Sequence, residues 1–409
     1  MKPVNFCRLS LIVLITCSFG SCKHHDDTPT VNTPKWKTTG QSYCSTDPNK
    51  IVGESGKYYF YQEQDENAVN PTYRWIRDAN KDGLCAVGYI PVFKSTNITS
   101  GSYTSFALYG NDRVFAAETV SGILEYVNGN WVKPTGMSQA VYNDIYYAKM
   151  KQGAGGKFFI SCAKGVYFQS GDNVYKQATS PWDNGDMAGA LGGNDTNFFV
   201  SAGVGFHGIY KWDGTTSKFI PTNQTNGCFY SIESSGNDVF FGSYQKSDGT
   251  AGKTYGVVRY NASSGKIEPT NLSTGEYQLA AFNGKMYTSD GGLVHVWDGA
   301  KFSQIYDKGG ILRSTGGALY LLTNNEIWIF DEKAKTFKSF LQGNYSDIVY
   351  SDGYTYVFGK TGVKALGNST WLNVSSVVEV TTGIATTSGL FMGGTNNNKG
   401  IQIMDKVYN

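Results

Sequence analysis

The sequence predicts an all-β protein built by repeating one four-stranded unit, and three observations predict it. The first is composition: Gly 50, Tyr 28, Phe 23 and Trp 8 in 409 residues, with only 17% charged side chains. Glycine supplies positive φ at hairpin turns and rings fit a pleated surface, so this is the composition of tight turns joining ring-burying strands. The second is a recurring hairpin, an alternating apolar strand that ends in an Asp, Asn or Gly turn and is followed by a large ring. The third is a strongly apolar strand that starts at a turn ahead of each hairpin.

The hairpins read Gly122-Ile-Leu-Glu-Tyr-Val-Asn-Gly-Asn-Trp131, Gly165-Val-Tyr-Phe168 with Tyr175, Gly208-Ile-Tyr-Lys-Trp-Asp-Gly214 with Phe219, and Gly256-Val-Val-Arg-Tyr-Asn261. They continue as Gly292-Leu-Val-His-Val-Trp-Asp-Gly299 with Phe302, Glu326-Ile-Trp-Ile-Phe-Asp331 with Phe337, Gly362-Val-Lys-Ala-Leu-Gly367 with Trp371, and Gly400-Ile-Gln-Ile-Met-Asp405. Their turn residues, from Asn128 to Asp405, are spaced by 33 to 48 residues, averaging about 40, the length of a propeller blade. The preceding strands include Val114-Phe115, Phe158-Phe159, Phe198-Phe199, Val239-Phe240-Phe241, Met286-Tyr287, Leu319-Tyr320, Tyr354-Thr-Tyr-Val357 and Leu390-Phe391. The expected fold is therefore a single β-propeller over residues 35–409, with eight four-stranded blades. It has nine if Lys57-Tyr-Tyr-Phe-Tyr61, Tyr73-Arg-Trp-Ile76 and Ala86-Val-Gly-Tyr-Ile90 form a further, divergent unit. An N-terminal strand should close the ring and remove a sheet edge; Lys35-Trp-Lys-Thr-Thr-Gly40, which is similar to the outer strand Asn130-Trp-Val-Lys-Pro-Thr-Gly136, is the segment expected there.

Ahead of the propeller, residues 1–21 carry Lys2 and Arg8, then the apolar run Leu9–Phe19, then Gly20-Ser21. A basic start, an apolar stretch too short to span a bilayer and small residues at a cleavage site describe a signal peptide. With Cys22 directly after the small pair, the segment resembles a bacterial lipobox, although Phe19 stands where a leucine is usual. The resemblance implies that the Cys22 thiol is lipidated and becomes the mature N-terminus. Residues 22–34, beginning Cys22-Lys-His-His-Asp-Asp27, have no apolar periodicity and read as a flexible tether. The charged cluster behind the cysteine looks like the surface-export signal of Bacteroidota lipoproteins, which implies an outer-membrane location facing the cell surface. The hairpins ending in Trp-Asp-Gly or Phe-Asp are similar to kelch-type blades, without the paired glycines of the kelch inner strand. That likeness bears on fold, not activity.

Removing residues 1–21 takes Lys2 and Arg8 away, so Lys+Arg falls from 35 to 33 against Asp+Glu 33. A neutral mature chain offers no electrostatic attraction for a nucleic acid. Cys44, Cys85, Cys162 and Cys228 then remain, and four cysteines in an oxidising compartment allow three pairings. Cys44 with Cys85, which share the first repeat-like unit, is the expected pair, although spacing alone leaves all three open.

Candidate sites fall on connections, where rigid scaffolds carry binding residues. Trp182 beside Asp183 and Asp186 combines a ring for stacking a sugar with carboxylates for its hydroxyls. Phe206 and His207 lie between the second and third strands of their unit, as do two longer loops, one carrying Glu63 and Asp65 and the other Tyr244. Gly203-Val-Gly-Phe-His-Gly208 matches a dinucleotide fingerprint only formally, because a strand and not a helix follows it. Asp78, Asn80 and Asp82 alternate as in a calcium loop, yet Ala86 and Tyr89 occupy its ninth and twelfth positions. His295 alternates with apolar neighbours and reads as structural. No catalytic residues and no cofactor are expected. The leading reading is a lipid-anchored envelope protein, monomeric, whose propeller face binds a glycan, peptide or partner protein without catalysis. Its alternatives are a secreted glycan hydrolase or lyase, which needs two acids at about 5 to 10 Å on the central face, and an envelope assembly scaffold.

Overall fold

A computed structural model describes residues 35–408 except 46–47, 50–57, 68–71, 83–88, 95, 111–112, 119–121, 170–173, 179–187, 203–207, 244–254, 352–353, 361, 368–369, 376–379, 387–388 and 395–399. The chain is a β-propeller. Its described residues form eight four-stranded antiparallel sheets and one three-stranded sheet, with a single short α-helix, α1 (Gln139–Asp144). The three-stranded sheet comes first, from β1 (Trp36–Ser45), β2 (Tyr58–Asp65) and β3 (Tyr73–Arg77). The next strand, β4 (Tyr89–Lys94), lies beside β1 but pairs with the last strand of the chain, Gln402–Tyr408.

Blade 1 starts with Tyr103–Tyr109, blade 2 with Lys149–Gln152, blade 3 with Ala188–Gly193 and blade 4 with Phe229–Ser235. Blades 5 to 8 start with Gln278–Phe282, Ile311–Thr315, Tyr345–Ser351 and Val380–Thr386. These first strands converge: each neighbours the first strand of the following blade, and that of blade 8 neighbours that of blade 1. The outer strands diverge. The first strand of every blade therefore faces the axis, and β4 supplies the outer strand of blade 8. Residues 35–40 do not take that place, because β1 finds its partner in β2 through a bulged register from Trp36 opposite Asp65 to Ser45 opposite Tyr58.

Blades stack face to face, which explains the paired rings in the second strands. Phe158 packs between blades 1 and 2 while Phe159 packs between blades 2 and 3, and both are fully buried. Phe198 and Phe199, and Phe240 and Phe241, divide between two interfaces in the same way. A strand covered on both faces reads as a continuous apolar run because successive side chains point to opposite sides. Eight apolar clusters fill the successive interfaces, and the cluster of Phe391, Ile401, Ile403, Val114 and Trp131 joins blade 8 to blade 1. Cys44 and Tyr59 of the three-stranded sheet are buried with Tyr356, Phe358 and Met404 between blades 7 and 8.

The recurring Asp or Asn is an Asx turn in the hairpins of blades 3 to 6. Asp298 Oδ1 accepts from the backbone N–H of Ala300 and of Lys301, both at 2.9 Å, and Asp331 Oδ1 accepts from Lys333 at 3.0 Å and Ala334 at 3.2 Å. Asn261 accepts from Ser263 at 3.0 Å. A short acceptor that caps its own turn is why these residue types recur there.

Candidate functional site

Of the residues singled out by sequence, Cys22, Cys85, Trp182, Asp183, Asp186, Phe206, His207 and Tyr244 lie outside the described residues. Glu63 and Asp65, expected in a loop, continue strand β2 instead. Glu63 accepts from Arg74 Nε at 2.8 Å and pairs with its Nη2 at 2.7 Å, and the same guanidinium lies over the Trp36 ring at 4.0 Å. Asp65 Oδ1 accepts from the backbone N–H of Lys35 and Asn67, both at 2.9 Å. Asp78 caps a 3-10 turn over Ala79–Lys81 by accepting from Asn80 N at 3.2 Å. Asp82 accepts from Tyr59 N at 2.8 Å and from Arg77 at 2.7 Å. Among the described residues no three His, Cys, Asp or Glu side chains are grouped to hold a metal ion.

Cys44 is disulfide-bonded, whereas Cys162 and Cys228 are buried and outside any disulfide. His295 is buried on the third strand of blade 5 opposite Gln304, and burial lowers its pKa.

The structure brings a different group together on the axis. Blade 3's first strand, Ala-Gly-Ala-Leu-Gly-Gly, is too small to fill the space in front of it. A Cβ on Gly192 would stand 2.3 Å from the Ile232 carbonyl oxygen, so the backbones of blades 3 and 4 approach closely there. Side chains of blades 2 and 4 consequently meet across blade 3. Lys149 Nζ lies 4.7 Å from the centre of the Tyr230 ring, and Lys151 pairs with Glu233 at 3.5 Å. Tyr230 is the extra residue of a bulge between Phe229 and Ser231, a device that re-aims a side chain. Its ring is 42% exposed. On the far side, Arg313 donates to Asp347 at 2.8 Å and Thr382 donates to the other Asp347 oxygen at 2.8 Å, linking the first strands of blades 6, 7 and 8.

Lys149 differs from the other axial charges in having no carboxylate partner among the described residues. Burial pushes its ammonium below the usual lysine range, with neighbouring Cys228 opposing that shift. Lys149 and Tyr230 stand at the starts of their strands, hence at the end of the channel where connections between blades enter. Lys151 and Glu233 lie deeper. Sequence reading missed this group because Lys149-Met-Lys-Gln152 has no strand-like alternation of apolar residues. The tyrosines just ahead of it and the glycines of blade 3 were the available signals.

No protein-family profile and no curated protein matches the sequence. Solved structures do. The computationally designed protein Ika8 is 12% identical and superposes with a TM-score of 0.56 over 76% of this chain and 98% of its own. Saccharomyces cerevisiae Sqt1 is 12% identical, with a TM-score of 0.50 over 78% of this chain and 98% of its own. The extracellular domain of a one-component system from B. thetaiotaomicron is 12% identical with a TM-score of 0.47 over 78% of this chain and 40% of that one. At such identity the first two likenesses establish the fold, and the site must be argued from its own chemistry.

Proposed function

We propose that the chain is a non-catalytic binding propeller of the cell envelope, with residues 1–21 as signal peptide, 22–34 as tether and 35–409 as the ligand-binding domain held to the outer membrane by a lipid on Cys22. The observation that carries the binding reading is the pairing of axial charge. Glu233 is engaged by Lys151 and Asp347 by Arg313 and Thr382, so the described axial acids are held as ion pairs, while Lys149 has no carboxylate partner among the described residues and Tyr230 beneath it is 42% exposed. A hydrolase of the two-carboxylate kind needs one acid protonated and another free to act on the opposite side of the scissile bond. Trp182, Asp183, Asp186, Phe206, His207 and Tyr244, which the sequence reading assigns to connections, are proposed to extend this surface. The ligand is a glycan or a protein; the Cys44 disulfide and the absence of charge excess in the mature chain suit an extracellular partner.

Binding of the full-length chain to glycan and peptide arrays tests this, with Trp182→Ala as control and sugar release followed in parallel. Saturable binding without turnover supports it; turnover, or no binding to either array, overturns it. For the anchor, Cys22→Ala should move the protein from the membrane to the soluble fraction, and a membrane-bound variant would refute lipidation there.

A further inference from the structure

Five non-glycine residues of the described chain have positive φ, and four of them, Asn128, Ser217, Asn283 and Lys335, sit in tight hairpin turns that require it. The fifth is Tyr147, with φ 53, in the connection between blades 1 and 2. A bulky side chain in the left-handed region costs about 1 to 3 kcal/mol and persists only where its surroundings impose it. Here the imposed conformation leaves a large ring 48% exposed, edge-on to Tyr146 with ring centres 5.9 Å apart. Tyr146 is itself fixed, its carbonyl accepting from Ala163 N–H at 3.2 Å. Two residues later comes Lys149, the axial cation without a carboxylate partner among the described residues, lying over the bulged and exposed Tyr230.

We infer that Tyr147, Lys149 and Tyr230 form a subsite for the carboxylate of an acidic sugar, a uronate or sialate unit of a glycan. This rests on the binding reading above and names the ligand class for that same face. Exposed phenol rings present flat apolar surface to the C–H face of a pyranose. A partly desolvated ammonium favours a carboxylate over a neutral group, because a charge withdrawn from water gains most from a charged partner. Among the described residues, Glu233 is paired with Lys151, and Asp144 accepts from the Tyr167 hydroxyl at 3.2 Å. Two separate irregularities, a left-handed tyrosine and a bulge, thus leave two tyrosines exposed, one two residues ahead of Lys149 in the chain and one beneath its ammonium.

Calorimetric titration of the full-length chain with uronate- and sialate-containing oligosaccharides, each paired with its methyl ester, tests the subsite. The acid form should bind at least tenfold tighter than its ester. Lys149→Gln should abolish that preference, and Tyr147→Gly should lower affinity while leaving the melting temperature unchanged or raised, since glycine relieves the strained φ. Equal affinity for acid and ester, or a preference that survives Lys149→Gln, overturns the inference. If only neutral glycans or peptides bind, the binding reading stands and this subsite falls; if nothing binds on any array, both fall.

Discussion

Asp213, Asp298 and Asp331 show how a single exposed carboxylate contributes to folding. The Thr216 hydroxyl and Thr215 N–H hold Asp213 below the usual carboxylate range, and backbone N–H donors do the same for Asp298 and Asp331. A carboxylate whose pKa is lower folded than unfolded stabilises the fold above its unfolded pKa, and that contribution disappears as pH falls through the folded value. The melting temperature should therefore hold from pH 7 to 5 and decline below about pH 4, near the unfolded carboxylate pKa. Asp298→Asn with Asp331→Asn should flatten the decline; an unchanged slope in the double variant would dissociate the turns from acid sensitivity. Phe159 works by packing, its ring in contact with Phe168, Phe198, Trp212 and Phe219. Phe159→Ala should cost about 3 to 5 kcal/mol in chemical denaturation. Both roles were legible in sequence, because an Asp ending an alternating strand and two adjacent phenylalanines after a turn each have a local signature.

At the scale of elements, a repeated clamp joins neighbouring blades. Asn97, Asn223 and Asn271 each bond both backbone groups of one outer-strand residue in the following blade: Trp131, Ile267 and Phe302, at 2.7 to 2.9 Å. The threonine before each, Thr96, Thr222 or Thr270, donates to the carbonyl of Ile401, Ile209 or Val257 in the preceding blade at 2.7 to 2.8 Å. The residue after each clamp asparagine lies so close to the glycine opening a third strand that no side chain fits there. At Gly256, with φ 61, a Cβ would stand 1.8 Å from the Leu272 carbonyl oxygen. Gly256→Ala should cost about 2 kcal/mol or more, and Asn271→Ala, which strands two backbone groups, about 1 to 3 kcal/mol. Melting temperatures near wild type in both would remove the clamp from the account. The Thr-Asn pair recurs plainly in sequence, followed four residues on by Gly101, Gly227 or Gly275. The axial strands leave no comparable trace: Lys149-Met-Lys-Gln152 and Ala188-Gly-Ala-Leu-Gly-Gly193 serve the channel on one edge, and channel side chains follow no apolar alternation.

At the scale of the whole molecule, an early strand completes the sheet of the last blade. β4 pairs with Gln402–Tyr408 from Tyr89 opposite Tyr408 to Lys94 opposite Ile403. Deleting residues 1–95 should expose that last strand as an unpaired edge and give aggregation on size-exclusion chromatography, whereas deleting 1–34 should leave the melting temperature unchanged. A monomeric, cooperative 96–409 fragment would show that closure is dispensable. An N-terminal strand in the last blade was expected from the likeness of residues 35–40 to the outer strand at 130–136, but the choice of β4 instead was not readable, because both segments are short, apolar and strand-forming. Function at this scale is the claim that ligand enters at the channel end bearing Tyr147, Lys149 and Tyr230. Hydrogen–deuterium exchange, with and without a saturating acidic oligosaccharide found by titration, tests it most directly. The account predicts slowed exchange in peptides covering residues 144–150 and 226–232; protection confined to the opposite turns at 213–218, 261–266 and 331–336 would contradict it.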